Sequence, residues 1–236
     1  MLIDKKDYRE KLFLFKDRED AGKKLAKFLE ENLPEKTDLI ILAIPRGGVP
    51  IGCILARLLN AVFDLILVRK IPIPWNPEAG LGAVTSDGDV FIDEKLVDYL
   101  RIDEKTLEQL ISDVLKEIKR REKKYLGDKK YVELRDKNVI VVDDGLATGY
   151  TMLAAINHAK KFKPKKIYVG VPTASKGAVS LLMEHVDSIF CLNVRSGVPY
   201  FAVADAYENW RDLTDEDVFR YLEIYHCGSN FRKTRK

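Results

Sequence analysis

Cysteine and histidine are scarce in this chain of 236 residues, with three of each. Cys53, Cys191 and Cys227 are widely spaced and odd in number, which argues against a disulfide framework or a zinc site and fits a reducing compartment. His158, His185 and His226 also lack metal-ligand spacing, and the His226–Cys227 pair reads as a terminal surface feature. No apolar run approaches the roughly 20 residues needed to span a bilayer. The opening stretch Met1–Lys6 is too polar to begin a secretory signal, so a cytoplasmic protein without membrane contact is expected. An excess of one charge is missing as well: 40 basic residues face 37 acidic ones, a net charge of +3. That balance does not call for nucleic acid, and the basic tail 232–236 reads as a solvated end. Glutamine occurs once while charged residues reach 33%, a pattern common in proteins of thermophiles.

What is present is enough for one full core. With 46% hydrophobic residues the chain can bury a single α/β domain with appendages, whereas two domains would be cramped. Residues 18–33 carry Ala21, Leu25, Phe28, Leu29 and Leu33 at helical spacing ahead of Pro34. Leu39–Ile44 reads as a strand, broken by Pro45-Arg46-Gly47-Gly48, and residues 50–59 as a helix. Phe63–Val68 is a second buried strand that ends in Arg69-Lys70. Residues 71–82 hold Pro72, Pro74, Pro77, Gly80 and Gly82 around Trp75, and read as a long loop of the kind that forms lids. Ala83–Ile92 predicts a strand or hairpin about Asp87-Gly88. Glu94–Leu126 predicts two helices, the second long and amphipathic. A helix (151–162), a strand (167–171), a helix (177–185) and a strand (189–192) complete the pattern. The alternation predicts an α/β fold: a mostly parallel, twisted sheet flanked by helices, with right-handed crossovers. A single domain is expected, with a core of about 37–195 and a small hood from 1–36 and 196–236.

The most informative stretch is 139–152. Val139, Ile140, Val141 and Val142 read as a strand buried on both faces, and it ends in two adjacent acids, Asp143 and Asp144. The loop that follows, Gly145-Leu146-Ala147-Thr148-Gly149-Tyr150-Thr151, has glycines for backbone freedom and the hydroxyls of Thr148 and Thr151, and it opens a helix. Free N–H groups and a helix N-terminus then converge where an anion can sit. Acids beside an anion cradle make sense for a ligand carrying both a phosphate and a diol, with the loop around a sugar 5-phosphate and the aspartates accepting from ribose hydroxyls. The plainer alternative is a strand-to-helix turn capped by Asp144.

This pattern resembles the signature of the type I phosphoribosyltransferases, which bind 5-phosphoribosyl 1-diphosphate, and the resemblance covers about residues 37–215. It implies that the Arg46-Gly47-Gly48 loop holds diphosphate, with a cis peptide at Arg46–Gly47 that aims an N–H at it. Arg69-Lys70 looks like the Arg-Lys pair that starts the mobile loop of orotate and adenine phosphoribosyltransferases. Either segment can also be a solvated turn or strand end. Asp205 to Leu213 is similar in spacing to the late segment of hypoxanthine-guanine phosphoribosyltransferases. That similarity implies Asp205 near Mg²⁺ and Arg211 on diphosphate, with Phe201, Tyr207 and Trp210, beside Tyr200, either stacking on a base or packing the hood. Two departures disfavour hypoxanthine or guanine as acceptor. Ala147 stands where those enzymes have an acid–base aspartate, and Pro172 where they have a base-reading lysine. The resemblance implies a Mg²⁺-dependent, homodimeric transferase that moves the phosphoribosyl group to a nitrogen base. The alternatives are a non-catalytic regulator that binds phosphoribosyl diphosphate or a nucleotide, and a subunit of a larger assembly.

Overall fold

In the computed structural model the described residues are 1–127, 131–196 and 201–225. The expectations that fall on Tyr200, the His226–Cys227 pair and the tail 232–236 lie outside them. Strand β1 (Leu2–Asp4) leads to helix α1 (Arg18–Asn32), whose N-terminus is capped by Asp17 accepting from Asp20 N–H at 2.9 Å. The run Leu39–Ala43 forms β2, and α2 (Gly48–Leu58) begins two residues earlier than the apolar spacing predicts. Strands β3 (Val62–Leu65), β4 (Val68–Ile73), β5 (Asn76–Thr85) and β6 (Val90–Ile92) follow. Next come α3 (Glu94–Tyr99) and α4 (Glu104–Tyr125), the two helices expected. The chain continues through β7 (Asn138–Val142), α5 (Tyr150–Lys160), β8 (Lys166–Ser175), α6 (Lys176–Leu182), β9 (Ser188–Arg195) and α7 (Asp215–Ile224).

Six strands form one parallel sheet in the order β1-β9-β8-β7-β2-β3. Alternate residues divide between its faces, as the two-residue period of a strand requires. Ile41, Ala43, Ile140 and Val142 pack with Leu25 and Leu29 of α1, Ile51 and Leu55 of α2 and Val218 of α7. Ile40, Leu42, Val139 and Val141 pack with Met152, Ala155 and Ile156 of α5 and Leu182 of α6. Both faces are covered, so the central strands read as unbroken apolar runs rather than alternating ones. No helix among the described residues is long and apolar enough to cross a membrane.

Two expectations change. Residues 71–82 are not a long loop: apart from the tight turn at Pro74-Trp75 they belong to β4 and β5, which pair antiparallel and, with β6, form a second, three-stranded sheet. The strand at 63–68 correspondingly splits, because β3 ends at Leu65 and the chain leaves the main sheet before β4. Proline is tolerated in β4 because Pro72 sits where the β4–β5 register shifts. Gly82 lies against β6, where an added Cβ would come within 2.0 Å of the Phe91 carbonyl oxygen. The second change concerns the N-terminal segment. It does not contribute only to a hood, since Leu2–Asp4 add an edge strand to the main sheet beside β9.

Candidate functional site

Ligands of open parallel sheets bind outside the carboxyl ends of the strands. Here that rim is built from the loops after β2 and β7 and the direct β8–α6 junction at Ser175, roofed by residues 201–213. β2 and β7 are hydrogen-bonded neighbours, with Ala43 opposite Val142, and the Ile44 N–H donates to the Val142 carbonyl at 3.0 Å. The two motifs that follow these strands therefore leave the sheet side by side. Their closest approach is at Gly47, where an added Cβ would fall 2.2 Å from Asp144 Oδ2, so only glycine admits the carboxylate there. A cis peptide is present in this loop at Pro45–Arg46, one bond earlier than the resemblance implied; Gly47 itself has helical angles at the start of α2.

The two aspartates occupy different environments. Asp144 is buried, and its Oδ2 accepts from Arg18 Nε at 2.7 Å. Arg18 lies 3.8 Å from the Trp210 ring centre and donates from Nη1 to the Arg211 carbonyl at 2.9 Å. Asp143 accepts the Asp144 N–H on Oδ1 at 2.9 Å. Burial, and then the neighbouring Asp144, push the Asp143 carboxyl well above its usual range. A carboxyl pair with one partner tied to a cation and the other raised is a functional-site signature.

Arg18 was not singled out from the sequence, although a signal existed. It falls on the same face of α1 as Gly22, Leu25 and Leu29, a charge on an otherwise apolar stripe. Ser175 was missed too. Its hydroxyl caps α6 by accepting from Ala178 N–H at 3.0 Å and donates to the Ala147 carbonyl at 2.6 Å, which fixes the loop.

In the loop 145–151, Leu146 is buried and its N–H donates to the Thr173 carbonyl at 3.0 Å, so this group belongs to the scaffold. Gly145 packs against Val203, leaving no room for a side chain. Ala147 and Thr148 are exposed, and Gly149 takes a left-handed φ of +91°, which favours glycine. The first bond of α5 runs from Leu153 N–H to the Gly149 carbonyl at 2.9 Å. The N–H groups of Tyr150, Thr151 and Met152, ahead of it, form the open N-terminus of the helix.

The remaining candidates are distributed around this rim. Arg46 Nη1 lies 3.9 Å from Asp215 Oδ1, and Gly48 begins α2 against the Val142 carbonyl. Arg69 and Lys70 are inside β4 rather than at a strand end, and Arg69 Nη1 is 3.6 Å from Glu117 Oε1. Tyr207 is fully buried between Phe15 and Trp210. Burial pushes its hydroxyl pKa up, and the hydroxyl donates to the Asp144 carbonyl at 2.5 Å. Trp210 is half-buried under Arg18, and Phe201 lies 5.0 Å from the Arg195 guanidinium. Asp205 Oδ2 is 3.5 Å from Arg195 Nη2. Arg211 makes a bidentate pair with Asp217, at 2.6 Å to each oxygen. Among the described residues no group of three or more metal-ligating side chains gathers.

The model of the family described as "Phosphoribosyl transferase domain" matches residues 14–204. Two Mycobacterium tuberculosis proteins, named "Putative phosphoribosyl transferase Rv0571c" (strain H37Rv) and "Putative phosphoribosyl transferase MT0597" (strain CDC 1551), are each 32% identical over 213 residues. Those alignments cover 90% of this chain and 47% of each relative, so the chain spans about half the length of the relatives it matches. The crystal structure of TT1426 from Thermus thermophilus aligns with a TM-score of 0.70 at 33% identity, over 89% of this chain and 98% of that one.

Proposed function

This chain belongs to the phosphoribosyl transferase domain family, and we propose that it moves the 5-phosphoribosyl group from phosphoribosyl diphosphate to a nitrogen base, releasing diphosphate. The observation that carries this reading is the contact between Gly47 and the Asp144 carboxylate, which puts a diphosphate-type loop beside a sugar-type acid pair. We assign the 5-phosphate to the N–H groups of Ala147 to Met152 and the hydroxyls of Thr148 and Thr151. The ribose hydroxyls go to Asp143 and to the Asp144 carboxylate that Arg18 positions. The diphosphate lies on Arg46, Gly47 and Gly48, with Arg69, Lys70 and Arg211 as further cations at the rim.

Displacement at ribose C1 passes through an oxocarbenium-like state while negative charge grows on the departing diphosphate. The acid pair offsets the charge on the ring, and the loop after β2 stabilises the charge on the leaving group. Mg²⁺, when bound, supplies further neutralisation of the diphosphate. The donor set fits an ion held mainly by ligand oxygens, because Asp205 is engaged by Arg195 and no protein cage is gathered among the described residues. Ala147 and Pro172 disfavour an oxopurine acceptor, and the base is read by stacking, for which Phe201 and Trp210 are the more accessible rings and Tyr207 a buried support.

The test follows diphosphate release with Mg²⁺ and a panel of bases. Turnover with a base other than hypoxanthine or guanine is expected. Efficient hypoxanthine turnover contradicts the reading of the base pocket, and tight binding of phosphoribosyl diphosphate without turnover of any base favours a regulator instead.

A further inference from the structure

Beside the Arg46 loop lies a cluster that none of the sequence motifs accounts for. Arg120 Nε sits 2.7 Å from Glu117 Oε2, while Arg121 Nε and Arg69 Nη1 lie 2.9 Å and 3.6 Å from Glu117 Oε1. Arg120 Nη2, Lys124 Nζ and Arg46 Nη1 reach Asp215 at 3.5, 2.7 and 3.9 Å. Five cations from three elements thus share two carboxylates, the buried Asp215 and the half-buried Glu117; the third acid nearby, Glu216, is at the exposed rim, 3.9 Å from Lys124. Part of Asp215 is further taken up by the Tyr125 hydroxyl, which donates to it.

A helix C-terminus attracts basic residues and accounts for Lys124. It does not account for Arg69, which comes from β4, nor for Arg46, which comes from the loop after β2. Burial, and then the neighbouring Arg121, lower the proton affinity of the half-buried Arg69, so the fold gathers like charges at an energetic cost. Arg121 is also largely enclosed, with 12% of its side chain exposed. A surplus of guanidinium groups held in place by a few carboxylates is a preorganised receptor for a planar or tetrahedral oxyanion.

We propose that Arg120, Arg121 and Lys124, with Arg69 at the border shared with the diphosphate, form a second oxyanion site that takes a carboxylate or phosphate group of the acceptor. This rests on the phosphoribosyl transfer reading, in which Arg46 already serves the diphosphate and the cluster continues outward from it. The acceptor is then an acidic nitrogen compound rather than a neutral base.

The test uses the full chain and measures binding by calorimetry of matched pairs, nicotinate against nicotinamide and orotate against uracil, with and without saturating ribose 5-phosphate. Inorganic phosphate is titrated in a parallel arm. The acid of a pair is expected to bind at least about ten-fold more tightly than its neutral partner, and the ratio to fall to about one in Arg120→Gln/Arg121→Gln. If phosphate is the group recognised, phosphate binds beside ribose 5-phosphate and is lost in the same variant. Thermal melts of the double variant, and the same acid-to-neutral ratio measured in Arg120→Gln alone at its exposed position, separate loss of binding from loss of fold. Acids no tighter than their neutral partners, with no phosphate bound beside ribose 5-phosphate, overturn the proposal, as does binding that survives in the folded variant; the cluster is then a clasp between α4 and α7. Failure of ribose 5-phosphate to bind counts against the parent reading alone, because the acid-to-neutral ratio is still measured without it.

Discussion

Asp143 and Arg18 show at single residues how a site of this kind trades stability for binding. Asp143 carries a carboxyl raised by burial and then by Asp144. An acid whose value rises on folding begins to cost stability once the pH exceeds its unfolded value of about 4, and the cost grows as the pH climbs towards the folded value. Asn at this position keeps the acceptor for the Asp144 N–H. Asp143→Asn is therefore expected to stabilise the ligand-free protein by about 1–2 kcal/mol in urea unfolding at pH 7 while weakening phosphoribosyl diphosphate binding. A destabilised variant would show that Asp143 is not under strain. Arg18 has the opposite sign. Arg18→Met leaves a buried carboxylate without its cation and is expected to cost about 3–5 kcal/mol. Adding Asp144→Asn to it should recover part of that loss, and a strictly additive double variant would deny the coupling.

At the scale of elements, legibility followed the reach of the signal. The strands β2 and β7 were plain because a strand covered on both faces needs an unbroken apolar run, and Leu39–Ala43 and Asn138–Val142 are buried throughout. The hairpin of β4 and β5 was not, because Pro72, Gly80 and Gly82 are loop residues by propensity. Their use in strands depends on a register shift and on a close approach from β6 that only the folded partner reveals. The ion pair that joins α4 to the start of α7 was equally hidden, since Lys124 and Asp215 are 91 residues apart. Burial alone would raise the Asp215 carboxyl, yet Lys124 and the Tyr125 hydroxyl hold it down at about 2. A carboxyl lowered on folding stabilises above its unfolded value and loses that contribution as the pH falls through its folded one. The stability difference between the protein and Asp215→Asn should accordingly be on the order of 1–2 kcal/mol at pH 6 and vanish between about pH 4 and pH 2. A difference that persists at the acid end of that range would assign the loss to packing instead of charge.

Over the whole molecule, the fold class was readable because strand and helix alternate in sequence as they do in space. The candidate site was readable where its parts are contiguous, in 143–151 and 46–48, and both segments emerge at the same end of adjacent strands. It was not readable where it is assembled from distant pieces. Arg18 is 126 residues from Asp144, and Tyr207, whose hydroxyl holds the Asp144 backbone, is 63 residues from it. The resemblance left Tyr207 and Trp210 either as rings for a base or as packing for the hood, and in the structure both pack the roof over Asp144.

The phosphoribosyl transfer reading stands on the loop after β7 as the cradle of the 5-phosphate of phosphoribosyl diphosphate. Calorimetric titration of that compound with Mg²⁺, into the protein and into Thr148→Val, tests it most directly, because Thr148 is exposed and its replacement leaves the core untouched. One site per chain is expected, with affinity reduced by about 1–3 kcal/mol in the variant, roughly five- to 150-fold. No binding to the protein, or equal affinity in the variant, would contradict it.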